Sequence, residues 1–164
     1  MTVIVVMGVS GSGKTTVGTA LAEQLDVDYA EADTFHPRAN IAKMSSGVPL
    51  TDEDRWPWLE SIAGWIRDHQ ESGGVVTSSA LKHTYRDVLR SGGNVWVLHL
   101  HGDREVLAER MKTRSGHFMP PSLLDSQLAD LEPLLPGESG MIANITRTPE
   151  DIVAAALAAF GARK

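Results

Sequence analysis

Residues 3–16 read Val3-Ile4-Val5-Val6-Met7-Gly8-Val9-Ser10-Gly11-Ser12-Gly13-Lys14-Thr15-Thr16, and they decide the fold. The first five form an unbroken apolar run, the pattern of a strand buried on both faces. The next eight match G-x-x-x-x-G-K-[ST], the P-loop, with nothing between strand and motif. Small residues let the backbone curl around a phosphate with its N–H groups pointing inward. A helix beginning near Lys14 brings the positive end of its dipole to the same point, and Val17, Leu21 and Leu25 give that helix an apolar stripe. Gly8, Val9, Ser10, Gly11, Ser12, Gly13 and Thr16 are therefore expected around a nucleotide's phosphates. Lys14 should reach the β- and γ-phosphates, and the Thr15 hydroxyl should bind Mg²⁺.

Outward from this stretch, strands and helices alternate. Strands are expected at Val27–Ala32, Val75–Ser79, Asn94–Leu100 and Met141–Ile145. Between them, helices are expected from Pro37 to Met44, from Thr51 or Asp52 to about Ser72, over His83–Arg90, over Asp103–Thr113, from Pro121 or Ser122 to Leu131, and over Pro149–Phe160. Alternation of this kind predicts an α/β fold, a five-stranded parallel sheet with helices on both faces. Ligands then gather at the carboxyl ends of the strands. The P-loop, Asp33 and Ser78 to Lys82 all fall at such ends.

The chain is 164 residues long, the size of one domain with a full core. Its net charge is −6 and its pI about 5.4, which speaks against a nucleic-acid partner, since that calls for a basic stripe. No apolar run is long enough to cross a bilayer, and no basic segment precedes the first strand, so a cytoplasmic location is expected. Without cysteine there is no disulfide or thiolate metal site. The positive charges cluster near the candidate site, which in an acidic chain suggests an anionic substrate.

Phosphoryl transfer to an alcohol needs positioning, charge stabilisation and a group to take the hydroxyl proton. Asp33 can be that acceptor, can hold Mg²⁺ through water, or can be a turn residue; Glu31, two residues earlier, is the second choice. His36 can act as a general base, shape the loop or donate a hydrogen bond. Arg55 follows the acidic helix start Asp52-Glu53-Asp54 and either pairs with an acid or binds an anionic substrate. Lys82 and Arg86 stand four apart, a substrate-facing pair or a solvated basic face. Arg110 and Arg114, also four apart, precede Gly116-His117-Phe118 in a loop that can cover phosphates. The tryptophans read mostly as core.

The stretch Asp33-x-x-His36-Pro37-x-x-Asn40-x-x-Lys43-Met44-x-x-Gly47-x-Pro49-Leu50-x-Asp52-x-Asp54-Arg55-x-Pro57-Trp58-Leu59 resembles gluconokinase. So do Ser79-Ala80-Leu81-Lys82-x-x-Tyr85-Arg86-Asp87-x-Leu89-Arg90 and Arg114-x-Gly116-His117-Phe118. The resemblance spans nearly the whole chain and implies a P-loop kinase of three layers, one domain over residues 1–164. It implies an acceptor-binding insertion at about 34–72 and a mobile lid at about 110–135. The implied reaction is transfer of the γ-phosphate of ATP, with Mg²⁺, to the 6-hydroxyl of D-gluconate by a homodimer. Implied roles are Lys14, Asp33 and Arg114 in catalysis, Arg110 at the nucleotide, and Asp33, His36, Arg55, Lys82, Arg86 and His117 at the acceptor. Residues Thr146 to Pro149 are implied at the adenine. A shikimate-type kinase and a nucleotide-binding switch without an acceptor are the alternatives.

Overall fold

The computed structural model describes residues 2–9, 11–48, 50–79, 82–113 and 122–162. Its five strands are β1 (Val3–Met7), β2 (Asp28–Glu31), β3 (Gly74–Ser78), β4 (Val95–His101) and β5 (Gly140–Asn144). Its seven helices are α1 (Lys14–Leu25), α2 (Arg38–Ser45), α3 (Asp52–Asp68), α4 (His83–Arg90), α5 (Arg104–Thr113), α6 (Ser122–Asp130) and α7 (Pro149–Ala162). A short 3-10 turn covers Ala32–Phe35. The strands form one parallel sheet in the order β2-β3-β1-β4-β5.

The centre of this sheet is β1, and its alternation builds both faces. Val3, Val5 and Met7 pack against Trp58, Leu59, Ile62 and Ile66 of α3 and Tyr85 and Leu89 of α4. Ile4 and Val6 point the other way, toward Val17 and Leu21 of α1, Leu107 of α5 and Ile152 and Ala156 of α7. Because β1 is covered on both sides, every one of its residues is buried, which is why it reads as an unbroken apolar run. β1 is flanked by β3 on one side and β4 on the other, and the chain crosses past it between those two strands, so the crevice beyond its carboxyl end is the switch point where α/β sheets bind ligands.

Several boundaries differ from expectation. Strand β2 stops at Glu31, and Asp33 lies in the 3-10 turn rather than at the strand end. Pro37 is the N-cap of α2 and not its first residue. Thr51 caps α3: its hydroxyl accepts from the Asp54 N–H while Asp54 accepts from the Thr51 N–H, a capping box. Pro57 sits inside α3. Trp56 is not core. It lies 37% exposed, edge-on to the Tyr85 ring at 5.7 Å.

Candidate active site

The loop after β1 is held open by small residues. A Cβ on Gly8 would meet Ser12 Oγ at 2.5 Å and the Leu100 carbonyl oxygen at 2.9 Å, so nothing larger fits. Gly11 and Gly13 have φ of 84° and 91°, the left-handed region that glycine enters without strain. Gly13 then caps α1, and the Val17 N–H bonds its carbonyl at 3.1 Å. Lys14 Nζ lies back over the loop, donating to the carbonyls of Gly8 (2.8 Å) and Val9 (3.1 Å). Ser12 is buried and its Oγ has no hydrogen-bond partner, an unmet polar group within the loop. A phosphate oxygen would meet that need. Ser10 lies outside the described residues.

Beside the loop, Thr15 Oγ1 donates to Glu31 Oε1 at 2.6 Å, and Tyr29 Oη donates to the same oxygen at 3.0 Å. Burial, then the Glu31 charge, push the Tyr29 phenol up to about 12, so it stays a neutral donor. The approach of α1 to β2 and β3 requires Gly18, where a Cβ would lie 2.9 Å from Tyr29 Cε1 and 3.0 Å from Thr77 Cγ2. Thr15 and Glu31 present only oxygen, the donor chemistry a hard cation such as Mg²⁺ takes. Asp33 is exposed two residues beyond Glu31, in the 3-10 turn, where its carbonyl accepts from the His36 N–H at 3.3 Å. Thr16 is exposed, and it lines a groove of about 390 Å³ between α1 and α7 with Ala20, Gln24, Pro149 and Val153. Arg110 bonds the Ile145 carbonyl at 2.7 Å, and its guanidinium lies against Gly13, so α5 reaches the phosphate loop from the β5 side.

On the other side, α2, α3 and α4 build a polar cluster. His36 stacks on Trp58, centroids 4.2 Å apart and planes 13° apart. Asn40 Nδ2 donates to His36 Nδ1 at 3.2 Å and to the Asp54 carbonyl at 2.8 Å, which leaves the ring proton on Nε2. Burial lowers His36 to about 4, with the Asp33 charge opposing, so the ring is neutral at pH 7. Arg55 is buried and its Nη1 donates to Tyr85 Oη at 2.7 Å and approaches Asp130 Oδ2 at 3.5 Å. Tyr85 Oη donates in turn to Asp52, and Lys82 Nζ lies 3.3 Å from Asp52 Oδ1. The phenol's hydrogen bond, with Lys82 and Arg55 nearby, holds the Asp52 carboxyl below its ordinary range. Lys82 is the N-cap of α4, at the carboxyl end of β3 and hence one strand away from the phosphate loop.

Arg86 departs from expectation. It is 1% exposed, and its Nε and Nη2 fork onto Glu138 at 2.7 and 3.0 Å, with Nη2 also on the Pro133 carbonyl. Arg90 adds a second contact to Glu138, and these cations hold the Glu138 carboxyl down at about 2 against its burial. Arg86 thus ties α4 to the segment entering β5 and is not part of a solvated basic face. Arg114 and His117 lie outside the described residues. Sequence reading passed over Asp52, Tyr85 and Asp130 as site members. In sequence Asp52 is one acid of an acidic helix start, and Asp130 carries no signal because its partner is 75 residues away.

The shikimate kinase family model matches residues 10–154. A gluconokinase of Gluconobacter oxydans is 48% identical over 147 residues, 87% of this chain and 81% of the relative. Among solved structures, the unliganded sugar kinase of Janibacter sp. HTCC2649 superposes with a TM-score of 0.94 at 51% identity, covering 98% of this chain and 95% of the other. A gluconokinase from Sinorhizobium meliloti 1021 superposes with a TM-score of 0.89 at 47% identity, covering 98% and 91%.

Proposed function

This chain belongs to the gluconokinase family, and from that premise we infer how its residues carry out the ATP-dependent phosphorylation of D-gluconate to 6-phospho-D-gluconate. The observation that carries the inference is a juxtaposition. A phosphate cradle follows β1, and a cluster of two cations, two carboxylates and a phenol gathers around Lys82 and Tyr85, which follow the adjacent strand β3. One end of the sheet therefore offers a place for a triphosphate and a place for a hydroxylated anion.

In the reaction, the oxygen of the acceptor's 6-hydroxyl forms a bond to the γ-phosphorus. The bond from that phosphorus to the β,γ-bridging oxygen breaks, and ADP leaves with the electron pair. Asp33, exposed in the turn that follows Glu31, takes the hydroxyl proton. Lys14 exchanges its two backbone carbonyls for β- and γ-phosphate oxygens, so a charge already poised over the loop meets the charge of the transferred group. Thr15, with Glu31 behind it, would hold Mg²⁺, which neutralises charge on the phosphate oxygens when bound. Neutral His36 donates through Nε2 to an acceptor oxygen, and Arg55 and Lys82 hold the acceptor's carboxylate, Arg55 by its planar fork. Arg110 serves the nucleotide beside Gly13, and the groove lined by Thr16 and Pro149 borders the base. Arg114 and His117 complete the lid and the acceptor site in this scheme, and the enzyme acts as a cytoplasmic homodimer; family resemblance supports these last points. A shikimate acceptor is the second reading, because the shikimate kinase model matches most of the chain.

The test is ADP release with Mg²⁺-ATP and D-gluconate, shikimate, AMP or no acceptor. Turnover of about 1–100 s⁻¹ with gluconate alone is expected. Stimulation by shikimate instead would replace the acceptor, and equal slow release in all four would leave a nucleotide hydrolase.

A further inference from the structure

The acceptor side already contains its own anions. Arg55, Lys82, Asp52 and Asp130 surround Tyr85, with Arg55 Cζ 5.3 Å and Lys82 Nζ 5.5 Å from the ring centroid. Two positive charges face two negative ones. An arriving carboxylate adds a third negative charge to a cluster that is balanced without it among the described residues. One resident carboxylate must give way, and the two are not held equally. Asp52 takes hydrogen bonds from both Tyr85 and Lys82 and sits in the first turn of α3, fixed by the capping box. Asp130 reaches the cluster from the last residue of α6 by one long hydrogen bond, 3.5 Å to Arg55, and by the charge it presents to Lys82. The Asp52 side chain is 44% exposed and that of Asp130 30%, so the hydrogen bonds and not exposure set the two apart, while Arg55, 10% exposed, cannot turn toward solvent.

We propose that Asp130 is a specificity-determining residue, a resident carboxylate standing at Arg55 that the acceptor's own carboxylate displaces and that then accepts hydrogen bonds from the acceptor's hydroxyls. The idea rests on the reading of Arg55 as the carboxylate's partner. It makes the site selective for polyhydroxy monocarboxylates. A neutral polyol cannot displace Asp130, because it brings no charge to Arg55. A carboxylate without neighbouring hydroxyls displaces it but leaves two like charges facing each other with nothing between them, which is unfavourable. Only a hydroxylated carboxylate satisfies both Arg55 and the displaced Asp130.

The test compares D-gluconate with 6-hydroxyhexanoate, which keeps the six-carbon chain, the carboxylate and the terminal hydroxyl but has no hydroxyl between them. Dissociation constants are measured by calorimetry for the wild-type enzyme, Asp130→Asn, Arg55→Gln and the surface control Asp87→Asn, with melting curves to confirm folding. In Asp130→Asn the preference for gluconate over 6-hydroxyhexanoate is expected to fall at least tenfold, chiefly because the deoxygenated acid binds more tightly. Asp87→Asn removes the same charge elsewhere and should leave the preference within twofold. An unchanged preference in Asp130→Asn overturns the proposal, as does an equal shift in the control. Arg55→Gln separates this failure from that of the underlying reading. If it weakens both acids more than tenfold, Arg55 binds the carboxylate and only the role of Asp130 falls. If it weakens neither, the placement of the carboxylate is wrong and both fall together.

Discussion

At the residue scale, one carboxylate touches the cradle and a second follows it two residues later, and their surroundings divide the work. Glu31 accepts from Thr15 and Tyr29, whereas Asp33 is exposed in the turn that follows. Asp33→Asn is expected to lower kcat by about 10²- to 10⁴-fold, the usual share of a general base, with the KM for ATP nearly unchanged. Glu31→Gln should instead raise the Mg²⁺ concentration needed for half-maximal rate, since it weakens the oxygen partner behind Thr15. A metal titration of the two variants checks both, and the opposite pattern would exchange their roles. The sequence put Glu31 inside a strand and Asp33 just after it and ranked Asp33 first, but it could not separate a base from a metal ligand. The Thr15 contact crosses 16 residues and depends on α1 packing against β2 through Gly18. Arg86 shows the same limit. Its spacing from Lys82 matched a shared basic face, while the property that decides its role is burial against Glu138, 52 residues away.

At the element scale, α3 joins stability to the acceptor site. Its capping box is built from Thr51 and Asp54, and its first turn carries Asp52 and Arg55. Thr51→Ala removes the cap and should lower stability by about 1 kcal/mol, read from a urea midpoint. It should also raise the KM for gluconate with kcat less affected, because the first turn is what holds Asp52 beneath Tyr85. Loss of stability with an unchanged KM would separate the cap from the site. Helix α4 is fixed in another way. Glu138 receives Arg86 and Arg90, and Glu132 accepts from the His83 N–H at 2.8 Å, so the segment after α6 is fastened along the whole helix. Glu138→Gln leaves the buried Arg86 without its counter-charge and should cost about 3–5 kcal/mol. Adding Arg86→Met should recover part of that loss in a double-mutant cycle, and purely additive losses would mean that the two groups do not act as a pair. Existence and order of these elements were legible from periodicity and turn residues. The fastening was not, because a glutamate before β5 looks like any loop acid until the fold brings it to α4.

At the scale of the whole molecule, burial of ionisable groups sets how stability follows pH. His36 on the acceptor side and His99 within the sheet are both buried, and burial lowers each from 6.5 to about 4. The unfolded chain protonates these rings as pH falls through 6.5 while the folded chain resists until about 4. Between those values unfolding takes up protons, so stability must fall as pH falls. It is at its full value above 6.5. By pH 4.5 each histidine should have removed about 2–3 kcal/mol, two pH units at 1.36 kcal/mol each. Glu138 acts in a lower window, since its carboxyl lies at about 2 against an ordinary 4.5. The stability of its ion pairs is complete above 4.5 and is lost as pH falls toward 2. Urea unfolding at pH 7.5, 6.5, 5.5 and 4.5 should therefore give a plateau followed by a decline. His36→Gln and His99→Gln each replace a ring that gains a proton on unfolding with a group that never does. Each variant should remove about half of the decline, whatever it costs at neutral pH, because the slope reports protons and not packing. A decline that keeps its slope in one variant would clear that histidine, and one that keeps it in both would place the titration on the exposed acids instead.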